Sequence, residues 1–356
     1  MRYSDIINVK KLKKYSFVLF VLGFVSSLSA QIGGEATYQF MTLPSSSRVS
    51  ALANTSIAVW DHDLNLSLSN PSLLDSSMSQ NLALSYADYI ADINYGTAAY
   101  SYHIDNIGTF AVAINYMHYG DFIKAEANGL ITGDFSASDY AFNMIYAKAL
   151  MPNLQIGVNI KFLYSDYYQY YSSGIAFDAG LTYHNDQKKN SLALVVSNLG
   201  HQIKPYREGN YESLPFDVQL AFAQRLNHAP FRFLVSLHHL HNWKLAYESP
   251  LDDNASLVAG EEKAKKSTFD QVADESIRHL NLGVELIPVK NFYLRAGYNF
   301  QRMKEMVIAD KFGMVGFSFG SEIRLYKFRV SYSRAVYHVA GATNTFSISS
   351  NLGEFF

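Results

Sequence analysis

The sequence predicts an all-β fold, a closed antiparallel transmembrane barrel of fourteen strands with an N-terminal plug. Three observations support it: apolar and polar residues alternate with a period of two, the connections alternate in length, and charge is scarce. Charged residues make up 17% of the 356 residues, against roughly 25% in soluble globular proteins. The absence of cysteine excludes disulfide scaffolds and thiol nucleophiles. A formal net charge of −2 gives no basic excess for nucleic acid.

Residues 1–30 are predicted to be a secretory signal peptide. A basic start is followed by an apolar stretch over residues 17–25 and by small residues up to Ala30, which is the order typical of such signals. Cleavage is expected near Ala30, with Ser29 as the alternative. The apolar stretch is too short to span a bilayer, although an N-terminal membrane anchor is the competing interpretation.

The strand prediction starts from residues 153–166. Ile156 and Val158 fall on one face and Gly157 and Asn159 on the other, as in a strand with one polar face. The same alternation recurs along the chain. The predicted strands start near residues 81, 91, 107, 136, 153, 171, 190, 214, 229, 276, 290, 311, 324 and 343.

The connections between these strands alternate between short turns and longer loops. The longer loops are expected at residues 120–135, 166–171, 200–213, 244–275, 301–310 and 337–342. Outer-membrane barrels have an even strand number, short periplasmic turns and long external loops. We therefore expect an outer-membrane protein with both termini in the periplasm. A periplasmic β-sandwich is the soluble alternative, but it would usually carry more charge.

Residues 31–80 do not follow the barrel pattern and are predicted to form a plug or hatch, with residues 81–356 as the barrel. A barrel of fourteen strands encloses a lumen that is wide enough to need filling or to conduct. A periplasmic arm is the alternative for this segment.

Two motifs resemble known functional signatures, a catalytic nucleophile elbow and a calcium-binding loop, but neither has the features that such a site requires. Residues 316–320 match G-x-S-x-G, which needs a strand, a sharp turn and a helix, yet they lie within an alternating strand. Residues 61–65 resemble the start of a calcium loop, but Leu66 and Ser72 stand where Gly and Glu are required. The sequence therefore predicts no catalytic residue, no cofactor and no enzyme.

Three histidines near a predicted strand end, His238, His239 and His241, are candidate metal ligands. Alternation places His238 and His239 on opposite faces, so we interpret them as a polar cluster at the membrane interface and predict no metal site. Glu285 and Arg295 lie on consecutive strands with the same predicted lumenal orientation, and we expect them to pair.

Several segments resemble the PorV/FadL-like outer-membrane barrels, in the family's order and over nearly the whole mature chain. The resemblance is carried by residues 47–52, 59–63, 70–74, 119–120, 171–178, 197–200, 214–216 and 294–298. It identifies Asp61, Asp63, Asn70 and Pro71 as the hatch motif. Ala53-Asn54 replaces the usual Gly-Gly. The stretches GGEATYQFMTLPSSSR and HAPFRF resemble the PorQ-like members more than the PorV-like ones.

The resemblance implies a component of the type IX secretion system of the Bacteroidetes. Such barrels hold a PorZ-like surface protein in an attachment complex with PorU and PorV, where cargo is linked to lipopolysaccharide. The expected partner-binding residues on the long loops are Tyr206, Arg207, Asp252, Asp253, Glu261 and Glu262. The alternative is a FadL-like transporter of hydrophobic small molecules or lipids, which needs an apolar lumen. The predicted lumenal faces are rich in Gly, Ala, Ser, Asn and Gln, which does not favour such a path.

Overall fold

A computed structural model of the chain describes residues 36–246, 268–306, 314–338 and 341–355. The predicted signal peptide and the start of the plug lie outside these ranges. So do the expected loop contacts Asp252, Asp253, Glu261 and Glu262.

Fourteen antiparallel strands close into a single barrel, because β1 pairs with β14 as well as with β2. The predicted closed barrel of fourteen antiparallel strands is therefore confirmed. The strands are β1 Asn81–Asp88, β2 Asn94–Ile104, β3 Gly108–Ala125, β4 Ile131–Met151, β5 Leu154–Tyr167, β6 Tyr170–Asn185, β7 Asn190–Lys204, β8 Asp217–Arg225, β9 Phe231–Leu237, β10 Leu280–Val289, β11 Phe292–Asn299, β12 Phe317–Leu325, β13 Phe328–His338 and β14 Gly341–Asn351.

Several predicted loops are shorter than expected because the strands continue beyond the barrel rim. The loop predicted at 120–135 is mostly hairpin: Phe122 pairs with Phe135, and β3 reaches Ala125 before β4 starts at Ile131. Both faces of this extension are exposed, so it lacks the apolar–polar asymmetry from which strands are predicted. The loop predicted at residues 166–171 is likewise reduced to a two-residue turn, because β5 ends at Tyr167 and β6 starts at Tyr170.

Within the described ranges, three α-helices accompany the strands. Helix α1 spans Ser47–Ala51 in the N-terminal segment, α2 spans Thr268–Arg278 and α3 spans Phe300–Met306. Helices α2 and α3 occupy parts of the predicted loops 244–275 and 301–310. No helix in the described ranges is long and apolar enough to cross a membrane.

The two faces of the barrel wall differ as the alternation predicts. In β5 the side chain of Val158 is exposed on the outer face, whereas Asn159 is fully buried on the lumenal face. Large apolar side chains cover the outside of every strand, among them Val112, Phe142, Leu194, Phe233, Phe319 and Ile348. An outer surface of this kind suits contact with lipid.

Replacing Val158 with arginine is expected to lower the free energy of unfolding by about 2 kcal/mol, because it places a charge against lipid. A urea titration in lipid vesicles measures this. The control is Gln187→Arg in the exposed turn between β6 and β7, which should change stability little. Equal effects of the two substitutions would contradict a lipid-facing Val158.

The N-terminal segment from Thr37 to Gln80 packs against lumenal side chains of the barrel wall, and we call it the plug. It consists of α1 and short 3₁₀ turns, which contact strands on all sides of the lumen. Short polar side chains cap four of these six elements: Ser46 accepts a hydrogen bond from the Val49 amide, and the Asp63, Asn70 and Asp75 side chains accept from the amide two residues on. Such capping stabilises single turns, which explains why the segment has no regular period.

Candidate functional site: the plug and the lumen

Arg48 of α1 is the centre of an ion network between the plug and the barrel wall. Its side chain is 1% exposed. Its Nη2 lies 2.6 Å from Asp61 Oδ2, and its Nη1 lies 2.9 Å from Asp63 Oδ2. The same guanidinium donates to Glu285 Oε1 from Nε at 3.1 Å and from Nη2 at 2.9 Å. One side chain therefore joins two parts of the plug to strand β10.

The network continues around the wall from Glu285. Arg295 lies directly opposite Glu285 in the sheet register, and its Nε donates to Glu285 Oε1 at 2.8 Å. The predicted pairing of these residues is confirmed. Arg232 contacts both Glu285 Oε2 at 2.5 Å and Asp61 Oδ2 at 2.8 Å. With Glu322 and Arg324, the network holds four guanidiniums and four carboxylates: Arg48, Arg232, Arg295 and Arg324 with Asp61, Asp63, Glu285 and Glu322.

The Asn70-Pro71 motif attaches the plug to strands β5 and β6. Asn70 Nδ2 donates to Ile57 O at 2.7 Å and to Thr182 Oγ1 at 3.0 Å. Pro71 lies directly against Gly157, where an added Cβ would sit 2.2 Å from the Pro71 carbonyl carbon. The close approach of the two backbones therefore requires glycine at position 157.

The departure from Gly-Gly at Ala53-Asn54 falls on two residues with left-handed backbone. Their φ angles are 50° and 64°, a conformation that favours glycine and that asparagine tolerates better than alanine. The turn keeps its shape without glycine because its surroundings hold it. The Asn54 amide donates to Val49 O at 3.0 Å, and Asn281 Nδ2 donates to Ala53 O at 3.2 Å.

A cluster of large, mostly apolar side chains lies in the lumen near the long-loop end. Tyr38 and Phe40 of the plug pack there with Tyr95, Met117 and Leu163 of the wall, all of them buried. A small cavity adjoins this cluster and is lined in part by Phe40, Leu43, Tyr95 and Met117. The predicted lumenal faces, rich in Gly, Ala, Ser, Asn and Gln, did not indicate this cluster, because its large side chains are concentrated at one level of the lumen. We call this cluster the apolar chamber.

The two expected loop contacts within the described ranges have different environments. Tyr206 is half-buried and stacks on Tyr167, with ring centroids 5.2 Å apart. Arg207 is exposed, with its guanidinium 5.7 Å from the ring centroid of Tyr170. Arg207 is therefore accessible to a partner, whereas much of Tyr206 is packed within the loop.

His238 and His239, which the alternation places on opposite faces, both approach the carboxylate of Asp217. Strand β9 ends at Leu237, and His239 has a left-handed φ of 55°, which turns the chain back. The Nδ1 atoms of His238, His239 and His241 all lie within 4 Å of the Asp217 carboxylate. The alternation of side chains between two faces holds only within a strand, and the three histidines follow the end of β9.

The G-x-S-x-G motif lies in an ordinary strand environment. Ser318 is fully buried in β12 and points to the lumen, with its hydroxyl 3.4 Å from Gly297 O. No helix follows at the position that a nucleophile elbow requires; β12 continues to Leu325.

His62 gives the plug a pH-dependent contact near the short-turn end. Its Nδ1 lies 2.5 Å from Asp75 Oδ2, and this hydrogen bond raises the pKa of His62 above its usual 6.5. A raised pKa in the folded state stabilises that state below the unfolded pKa of about 6.5, and the gain is lost as the pH rises through the folded value. We expect the stability advantage of the native protein over His62→Ala to be complete near pH 5.5 and to decline as the pH rises through the raised folded-state pKa of His62.

Urea titrations across this pH range measure that advantage. His228→Ala, in the exposed turn between β8 and β9, serves as the control and should show no such difference. An advantage that does not depend on pH would contradict a charged His62–Asp75 pair.

No protein-family model matches the chain, and the curated proteins contain no sequence match. Solved structures do match. The deltaS2S3 mutant of the monoaromatic hydrocarbon channel TodX aligns with a TM-score of 0.53 and 12% identity, over 86% of this chain and 99% of that chain. Its deltaS2 mutant gives 0.52 and 12%, over 88% and 100%. A Pseudomonas aeruginosa FadL homologue gives 0.46 and 10%, over 86% and 98%.

The chain has the fold of the TodX channel. At 12% identity the likeness establishes the fold, and the barrel matches those of outer-membrane proteins. The type IX secretion assignment and its partners remain predictions.

Proposed function

We propose that the protein is an outer-membrane channel for hydrophobic small molecules, gated by its N-terminal plug. The apolar chamber carries this proposal. It places Tyr38 and Phe40 of the plug against apolar wall residues at the long-loop end, in a barrel whose similar structures include a monoaromatic hydrocarbon channel. Apolar pockets with few polar groups are the usual binding sites for small hydrophobic ligands.

The attachments of the plug suggest which part moves. Residues from Ser47 onward are joined to the wall by the buried ion network and by the Asn70 contacts. The preceding stretch that carries Tyr38 and Phe40 is held mainly by apolar packing, together with a hydrogen bond from the Thr37 amide to Ser213 O and one between Tyr38 and Ser172. A ligand in the apolar chamber would therefore displace this first stretch while the network keeps the rest in place.

Uptake of toluene by intact cells tests the proposal. We expect a strain without the protein to take up toluene more slowly, and the native gene to restore the rate. Leu163→Arg, which places a charge in the apolar chamber, should behave like the deletion. The control is Leu130→Arg at the exposed tip of the β3–β4 hairpin, which should restore uptake. Equal uptake with and without the protein would contradict the channel function.

A second candidate function is the anchoring of a PorZ-like surface protein in an attachment complex with PorU and PorV. One observation favours it: the β3–β4 hairpin extends beyond the paired barrel and exposes large apolar side chains. Phe122, Ile123, Leu130 and Ile131 are 42%, 67%, 61% and 63% exposed. Exposed apolar patches of this kind mark interaction sites.

The anchoring function predicts that a surface protein is released into the medium when the hairpin loses its apolar side chains. The test combines Ile123→Ser and Ile131→Ser and compares the proteins extracted with the barrel by a mild detergent. A shortened chain without residues 252–267 tests the long loop in the same way. If both variants keep the same partners, and cargo remains linked to lipopolysaccharide, these surfaces do not anchor a protein.

A further inference from the structure

We propose that Asp217, His239 and His241 form a binding site for a divalent transition-metal ion such as Zn²⁺ at the long-loop end of the barrel. One carboxylate and two imidazoles are a ligand set that Zn²⁺ uses, with a water molecule in the fourth position. Asp217 starts β8, and the two histidines lie in the segment after β9. A bound ion would therefore link strand β8 to the connection that follows β9.

The candidate ligand atoms already converge. His239 Nδ1 lies 3.5 Å and His241 Nδ1 lies 3.9 Å from Asp217 Oδ1, and one candidate atom from each residue lies within 4.8 Å of the other two. Two ligands of a tetrahedral zinc ion are about 3.4 Å apart, from metal–ligand bonds of about 2.0–2.1 Å. Small side-chain movements would therefore complete the coordination.

His241 supplies an independent indication. Its side chain is 7% exposed, and its Nδ1 is buried without a hydrogen-bond partner. A buried ring nitrogen without a partner costs free energy, and here that nitrogen faces the Asp217 carboxylate. Metal coordination would satisfy it. The ring is fixed by an edge-to-face contact with Phe216, with centroids 4.9 Å apart.

The backbone holds the carboxylate and the two rings together. The His239 amide donates to Asp217 Oδ1 at 2.7 Å, and the Leu240 amide donates to Val218 O at 3.0 Å. These bonds continue the attachment of β8 to the chain beyond β9, and the left-handed His239 turns His241 towards Asp217. The positions of the ligands thus come from bonds that exist without metal, as a preformed site requires.

Two further histidines, His238 and His279, lie near the proposed site, but their ring nitrogens contact other groups. His238 Nε2 lies 2.9 Å from Ser236 Oγ, and its Nδ1 lies 3.8 Å from Asp217 Oδ2. Both ring nitrogens of His279 face backbone carbonyls, those of His238 and Trp243. We therefore assign the ligands to Asp217, His239 and His241.

The experiment is a zinc titration of the full-length mature barrel in detergent, purified without a histidine tag and freed of metal by a chelator. A fluorescent zinc indicator competes for the ion and reports the affinity. We expect one Zn²⁺ per chain. His241→Ala and Asp217→Asn should each weaken binding at least about 100-fold, since even residues that only support a ligand contribute 10–100-fold. The control His228→Ala should leave the affinity unchanged.

Substitution of Co²⁺ gives a second readout that does not depend on affinity. A four-coordinate site with two imidazoles produces intense visible absorption, which His239→Ala should abolish. Retention of the heat-modifiable migration of the folded barrel shows that each variant is folded. If the native protein binds Zn²⁺ no more tightly than the folded His239→Ala/His241→Ala variant, there is no site, and Asp217 serves only to fix the turn.

Discussion

Replacing Arg48 with methionine is expected to lower the free energy of unfolding by about 3–5 kcal/mol, because it leaves buried carboxylates without their shared cation. Asp63 loses its contact with the guanidinium, and Asp61 and Glu285 keep only the wall arginines. The methionine side chain has nearly the length of the arginine stem. The effect therefore reports the charge more than the loss of packing.

Urea titration in lipid vesicles measures the destabilisation. Arg225→Met removes a cation at the exposed end of β8 and should change stability by less than about 1 kcal/mol. Planar-bilayer recordings give a second measurement: we expect openings in Arg48→Met that the native plug suppresses. Equal stability of the two variants would show that the network does not hold the plug.

Replacing Gly157 with alanine is expected to displace the Asn70-Pro71 part of the plug. The added Cβ would sit 2.2 Å from the Pro71 carbonyl carbon and 2.4 Å from the Ser72 nitrogen. These are backbone atoms, which cannot move aside as a flexible side chain does. We expect a cost of about 3 kcal/mol, the upper part of the usual range for overpacking.

Stability in urea and ion conductance in planar bilayers measure the response. The matched control is Gly341→Ala in β14, where the nearest atom to the added Cβ is a side-chain carbon of Ile90 at 3.4 Å. That contact is ordinary, so the control should resemble the native protein. If Gly157→Ala also resembles the native protein, the plug does not press against β5 as the structure describes.

These two substitutions affect the plug at different places and separate the two proposed functions. A gated channel needs the first stretch of the plug to move, and loosening the rest should alter conductance and toluene uptake together. In a barrel that only anchors a surface partner, the plug would stabilise the fold and would not control passage through the lumen. In that case Arg48→Met would lower stability without changing uptake.

Strand number and strand faces could be read from the sequence because the period of two is a local property. Val158 faces outward and Asn159 inward as the alternation requires. The Glu285–Arg295 pair was predicted for the same reason, since neighbouring strands with a short turn bring these lumenal positions opposite each other.

Strand ends were less predictable because they depend on pairing beyond the membrane. The β3–β4 hairpin continues past the barrel rim with both faces exposed, so no alternation indicates it. At the end of β9 the left-handed His239 reverses the chain. There His238 and His239, predicted on opposite faces, lie with His241 around the Asp217 carboxylate.

By itself, the sequence determined a barrel of fourteen strands, the orientation of its faces and the existence of a nonperiodic N-terminal segment. Only the tertiary structure decided what fills the lumen. Arg48 contacts Glu285, which lies 237 positions later in the chain. Pro71 of the plug lies directly against Gly157 of the barrel wall. Contacts between residues so far apart leave no local pattern in the sequence. They arise only when the closed barrel brings its lumenal side chains around the plug.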